Sequence, residues 1–152
     1  MISIVLKLSQ RFKSVFLWIW EQDGSPAERA RGLAVGIFSG CFPFFGLQSL
    51  MGICLASLIR GHRLLAAMGT WVSNPFTYIP LYLFNYKVGV FFLGKEETLK
   101  DFSQFSQKQM WNQGLLISNR ILLGSFIVGL LSALVMGCIS FIFFKKLHKK
   151  RL

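Results

Sequence analysis

The sequence predicts an all-α integral membrane protein with an amphipathic N-terminal helix, broken or re-entrant helical hairpins, and a C-terminal transmembrane helix. Three observations carry that expectation. First, 53% of the 152 residues are hydrophobic and only 15% are charged, whereas a soluble domain carries about a quarter charged residues. Second, the apolar residues fall in long blocks with basic residues at their ends: Lys7, Arg11 and Lys13; Arg29 and Arg31; Arg60 and Arg63; Lys145 to Arg151. Such punctuation marks the cytoplasmic edge of membrane segments. Third, two blocks are interrupted near their centres by glycine and proline.

Residues 1–24 form the first element. Ile4, Val5, Leu8, Phe12, Val15, Phe16 and Ile19 recur near helical spacing, with Lys7, Gln10, Arg11 and Ser14 opposite. The pattern reads equally as a helix lying in the membrane interface, with Trp18 and Trp20 at headgroup depth, or as one packed on the rest of the chain. Basic residues interrupt the run and no small-residue cleavage site follows, so the segment is expected to be retained rather than removed as a signal peptide. Residues 25–152 then form one membrane domain. Ser25-Pro26-Ala27-Glu28 is a helix start: serine caps, proline suits the first helical position, and glutamate completes a capping box.

The first apolar block, 32–59, has about 28 residues. As one helix it would be about 42 Å long, beyond a hydrocarbon core of about 30 Å. It is interrupted at Gly40, Pro43 and Gly46, and two arginines stand at each end. A single crossing would split those four charges between the two sides, against the usual asymmetry. A re-entrant hairpin turning at SGCFPFFG keeps them together.

The second block, 64–93, breaks at Thr70-Trp-Val-Ser-Asn-Pro-Phe-Thr77. Asn74 followed by Pro75 predicts a helix restart, with asparagine as cap and proline in the first turn; Pro80 lies further along that helix or marks a second start. Tyr78, Tyr82 and Tyr86 repeat every four residues, a stripe expected from packing or an interfacial belt. The blocks echo one another, each with an approaching glycine (Gly40, Gly69) and then Pro-Phe (43–44, 75–76). Paired broken helices recur in transporters.

Residues 94–114 are polar, with charges that cancel, and are expected to form a non-cytoplasmic loop or interfacial helix. Residues 121–144 are apolar enough to span. Gly124, Gly129, Ser132, Ala133, Gly137 and Ser140 give this helix a small-residue face. The basic tail 145–152 places its end in the cytoplasm. The expected topology is a re-entrant first block, an outward-crossing second block and a returning last helix; the rival, with both blocks re-entrant, would leave the termini on opposite sides, against the basic tail. Both termini are then cytoplasmic at a bacterial inner membrane.

Three stretches resemble a known bacterial membrane family, that of domain of unknown function DUF2062: SPAERARGLAVG at 25–36, GCFPFFGLQ at 40–48 and GTWVSNPFT at 69–77. The resemblance covers about Ser14 to Phe144. It implies a membrane protein of uncharacterised activity. Because some members of that family are attached to glycosyltransferase domains, it also implies a link to envelope sugar or lipid chemistry.

The breaks point to the functional residues. Non-helical backbone inside a bilayer needs protein or a water-filled cavity to satisfy it, so two breaks imply a polar spot at membrane depth. Helices restarting there present N-termini that favour an anion or phosphate headgroup. The expected substrate-binding set is Ser39, Gly40, Pro43, Gly46, Gln48, Thr70, Ser73, Asn74, Pro75 and Thr77, with Arg60 or Arg63 near the mouth. For Asn74 the competing reading is a simple cap, and for Gln48 it is satisfaction of the broken backbone. The function this predicts is a small transporter or flippase-like protein for an anionic, lipid-phosphate type of substrate, acting on membrane lipids as a homodimer. The alternative is a non-catalytic anchor or partner of an envelope glycosyltransferase.

Other classes fit poorly. The formal charge of +11 is spread over block ends rather than a basic face with interleaved aromatics, so nucleic acid is not an expected partner. Cys41, Cys54 and Cys138 lie within apolar blocks without CxxC spacing or histidine partners, which argues against a disulfide frame or a metal site. All six acidic residues lie in polar segments, so neither a catalytic constellation nor a proton relay is expected. No cofactor is expected. Lys87 is the one charge well inside a block and is expected to snorkel to the interface.

Overall fold

The structure, a computed structural model, describes residues 24–44, 46–94 and 107–149, with side chains of the last segment from 114 onward. The amphipathic segment 1–24, apart from Gly24, and the polar stretch 95–106 lie outside the described residues. All regular structure in the described residues is helical: α1 (Pro26–Gly40), α2 (Leu47–Leu58), α3 (Arg63–Gly69), a 3-10 turn (Thr70–Val72), α4 (Tyr78–Leu93) and α5 (Gln107–Lys149).

Helix α1 begins as its sequence dictates. The Ser25 hydroxyl accepts from the Glu28 N–H at 3.2 Å and the Glu28 carboxylate accepts from the Ser25 N–H at 2.9 Å. It ends at Gly40, where the Cys41 and Phe42 N–H groups close tight turns on Phe38 and Ser39. Pro43, with no N–H to give, stops the helix from continuing. The turn ends at Gly46, whose φ of +81° suits glycine.

The first apolar block is therefore two helices, and they run antiparallel. The link after α2 returns to the start of α1, where the His62 N–H donates to the Glu28 carbonyl at 2.9 Å. Helix α2 closes with the Arg60 N–H on Ser57 O and the Gly61 N–H on Ala56 O. That is a Schellman-type end, with Arg60 at φ 53° where glycine is usual.

Helix α3 then runs parallel to α1 at very close range. A Cβ placed on Gly32 would meet the His62 carbonyl, one on Gly36 the Ala66 carbonyl, and one on Gly40 the Thr70 backbone. Three glycines four residues apart thus bring two backbones into contact, as small residues do between membrane helices. Glycines also join α4 to α5: a Cβ on Gly89 would strike Arg120 O and one on Gly124 would strike Asn85 O. Because 85 pairs with 124 and 89 with 120, these two helices are antiparallel.

Helix α5 is the spine, about 64 Å long for its 43 residues. The 121–144 segment expected to span sits inside it, and the helix extends back to Gln107 through residues placed by sequence in a polar segment. Phe144, Gly137, Gly129 and Phe126 meet Arg29, Ala34, Cys41 and Phe38 of the α1 region. Ser125, Gly124 and Arg120 then meet Asn85 and Gly89 of α4. Helices α1 and α4 thus both run antiparallel to α5 and meet it at successive levels along its length. Among the described residues α5 is the one helix long and apolar enough to cross a membrane; α2 and α4 are apolar but shorter.

Candidate functional site

The two breaks meet. Gln48, in the first turn of α2, lies 5% exposed and bridges them. Its amide nitrogen donates to the Phe42 carbonyl and, at 3.0 Å, to the Tyr82 hydroxyl. Its amide oxygen accepts from the Ser73 hydroxyl at 2.8 Å. One side chain thereby satisfies the open backbone of the first break, grips the second, and touches α4. Beside it the Ser49 and Thr70 hydroxyls lie 2.9 Å apart, and Thr70 also bonds the Ala67 carbonyl. The Tyr82 hydroxyl reaches Phe42 O at 3.3 Å.

The second break is held mainly by its own side chains. Asn74 Oδ1 accepts from the Phe76 and Thr77 N–H groups at 3.0 and 3.1 Å, while the Thr77 hydroxyl donates to Val72 O and accepts from the Asn74 N–H. Asn74 therefore caps a turn with Pro75 in first place, and the Tyr78 N–H donates to the Asn74 carbonyl. The regular helix starts only at Tyr78. Pro80 has no N–H to close the preceding turn on Phe76, which explains the delay relative to a start at Pro75.

Between the breaks lies a half-open cavity of about 360 Å³, lined by Gly46, Gln48, Ser49, Thr70, Trp71, Ser73, Asn74, Pro75 and Tyr78. None of these carries a charge. One layer behind it, fully buried Asn85 donates to the Cys41 carbonyl at 3.0 Å and to the Ser125 hydroxyl at 2.9 Å. It pins the end of α1, the middle of α4 and α5 to one point. Its Oδ1 is buried and accepts no hydrogen bond among the described residues.

Of the residues expected from sequence, Gly46, Gln48, Thr70, Ser73, Asn74 and Pro75 line this cavity. Ser39 is buried and bonds back to Val35 O, Gly40 provides the close approach to Thr70, and Thr77 serves the Asn74 turn. Pro43 stays in the first turn, half-buried. Arg60 and Arg63 are not brought to the cavity. They flank the link between α2 and α3, with Arg60 twelve residues, or about 18 Å, along α2 from Gln48. There they join a basic end of the bundle with Arg29, Arg31 and the Lys145–Lys149 turn of α5, since His62 bonds Glu28 and Arg29 lies 5.8 Å over the Phe144 ring.

Sequence reasoning missed Ser49, Trp71, Tyr78, Tyr82 and Asn85. Asn85 carried a usable signal, an uncharged amide side chain in the middle of a helix whose other polar groups are Lys87 and three tyrosines. Tyr82 was visible only as part of a stripe, and the stripe proves to put one hydroxyl on the break. Among the described residues no group of three or more His, Cys, Asp or Glu could hold a metal ion.

The family model of uncharacterised proteins conserved in bacteria, DUF2062, matches residues 9–152. The chain belongs to this family. Both breaks, and every cavity residue, lie within the matched DUF2062 region. No curated protein and no solved structure matches the chain.

Proposed function

We propose that this DUF2062 protein is an integral membrane protein of flippase-like or small-transporter type, whose paired breaks receive the phosphate-bearing headgroup of a membrane lipid. The observation that carries this reading is the uncharged polar cavity of about 360 Å³ between two non-helical segments, surrounded by an apolar exterior. Leu50, Leu58, Ile79, Leu83, Phe91 and Leu131 are all more than half exposed. Only 11% of the most apolar stretch of α5 is buried, which is unlike the core helix of a soluble domain. Such a surface suits hydrocarbon, and a polar pocket opening through it suits an amphiphile whose tails stay in the bilayer.

The lining supports a transit site better than a storage site. Hydroxyls and amides line the cavity and can attract a phosphate without a fixed cation to hold it; the Leu47 and Gln48 N–H groups of the α2 start already donate to Phe44 O. Passage requires binding strong enough to enter and weak enough to leave. The basic end supports a cytoplasmic placement of Arg29, Arg31, Arg60, Arg63 and Lys145–Lys149 at a bacterial inner membrane. In this reading α1 and α2 form the re-entrant hairpin, α3 and α4 together cross outward, and α5 returns. The path is shared between two copies of the chain.

The test is lipid movement. Proteoliposomes containing the full chain should expose inner-leaflet fluorescent phospholipid to an outside quencher faster than empty vesicles. Trp71→Ala, which truncates a cavity residue 78% exposed and so outside the packing, should change that rate several-fold while the protein remains folded. Rates equal to those of empty vesicles would remove transport. The second reading, an anchor or partner of an envelope glycosyltransferase, is favoured by the basic end; it would then stand if such an enzyme co-purifies and does so equally with Gln48→Ala and Asn74→Ala.

A further inference from the structure

A second cavity, remote from the breaks, lies between α1 and α5 at the basic end. It is a groove of about 330 Å³ floored by Ala27, Ala30, Ala34, Ala133 and Gly137, and its one charged lining residue is Arg31. The helices touch at its base, where a Cβ on Gly137 would come within 3.2 Å of the Ala34 Cβ. Above that contact the alanines leave an open apolar channel. It runs about 10 Å along α1, from the level of Ala27 to that of Ala34. Lys145, exposed, holds its Nζ 6.0 Å over the ring of Phe141, another lining residue. The groove therefore has an apolar floor and two exposed cations at one end.

We propose that this groove binds one acyl chain of an anionic phospholipid, with the phosphodiester between Arg31 and Lys145. The inference rests on the membrane reading above but not on the break cavity. Charge decides between a lipid and a second copy of the chain. Two copies packed groove to groove would bring Arg31 and Lys145 of each into one interface. The acid at that level, Glu28, is already engaged in the Ser25 capping box. An anionic headgroup neutralises both cations, and the apolar channel takes the chain beneath it. A basic pocket between helices on the cytoplasmic side is the usual setting for anionic lipid headgroups.

The experiment is native mass spectrometry of the full chain in mild detergent, with equal amounts of dioleoyl phosphatidylglycerol and dioleoyl phosphatidylcholine. The wild type should retain the anionic lipid about tenfold more than the zwitterionic one. Arg31→Gln and Lys145→Gln should each cut that preference about fivefold, the effect of one charge near such a surface. Ala133→Phe, which fills the channel, should abolish the preference for the anionic lipid, and Trp71→Ala, in the separate break cavity, should leave that preference intact. Equal retention of the two lipids, or a preference unmoved by Arg31→Gln and Ala133→Phe, overturns the proposal. So does loss of the preference in Trp71→Ala, which would put the lipid at the breaks, or a change of oligomeric state in Ala133→Phe, which would assign the groove to a second copy. If the chain stays in solution without detergent, it is the membrane reading that fails.

Discussion

At the scale of single residues, glycines set the closeness of the helices. Gly36 has its missing Cβ position 2.1 Å from Ala66 O, and Gly114 has nothing within 4 Å. Gly36→Ala must push two backbones apart and should cost about 1–3 kcal/mol, as overpacking of a tight core does. Gly114→Ala, on an open helix face, should be neutral or stabilise by up to about 1 kcal/mol. Thermal unfolding of the two variants in the same detergent checks this, and equal losses would contradict the assigned α1–α3 contact. His62 gives a pH-dependent counterpart. It caps α3 by accepting the Leu65 N–H on Nδ1 at 3.4 Å. Its pKa is lowered from 6.5 by burial and by Arg29, against a smaller opposing pull from Glu28. With the folded-state pKa below the unfolded one, the neutral ring's contribution is complete above about pH 6.5 and is lost as pH falls from there through the folded pKa. Wild type should therefore lose stability below pH 6.5 by a component that His62→Asn, a cap that does not titrate, lacks.

At the scale of elements, the breaks were legible and the way they are satisfied was not. SGCFPFFG and SNPFT announce interruptions because glycine and proline conflict with a helix whatever the surroundings. The start at Ser25, the turn at Gly46 and the capping by Asn74 are likewise local chemistry. What closes the site is contact across the chain: Gln48 to Ser73 spans 25 residues and Asn85 to Cys41 spans 44. A single sequence carries no register for such pairs. Arg60 and Arg63 were placed near the site for want of that register, and α2, by running a full length away, carries them to the far end. The parallel pairing of Gly32, Gly36 and Gly40 with α3 was written as a four-residue spacing but gave no partner. Asn85 makes the tertiary argument testable. Asn85→Leu removes two buried hydrogen bonds and leaves Cys41 O and Ser125 without their partner, a loss of about 2 kcal/mol or more. A denaturation midpoint unchanged from wild type would show that the three helices are not pinned there.

At the scale of the whole molecule, charge and apolar length support the proposed orientation. Along α5, Arg120 and Lys145 are 25 residues apart, or about 37 Å, enough to bracket the hydrocarbon core. The breaks fall between these levels, since α5 meets Cys41 at Gly129 and Asn85 at Ser125. Two predictions follow the same axis. Cysteine introduced at Leu152 should be protected from impermeant reagent in intact cells while one at Gln104 is labelled; the reverse pattern would invert the proposed topology. The depth of the breaks themselves is read most directly at Trp71, which lines the cavity and is 78% exposed. In a variant keeping Trp71 alone, with Trp18, Trp20 and Trp111 changed to phenylalanine, fluorescence should be quenched most by phospholipids brominated deep in the acyl chain. Small aqueous acrylamide, entering through the cavity, should quench it as well. Quenching by acrylamide with none from deep-brominated lipid would place the paired breaks outside the bilayer and contradict the account.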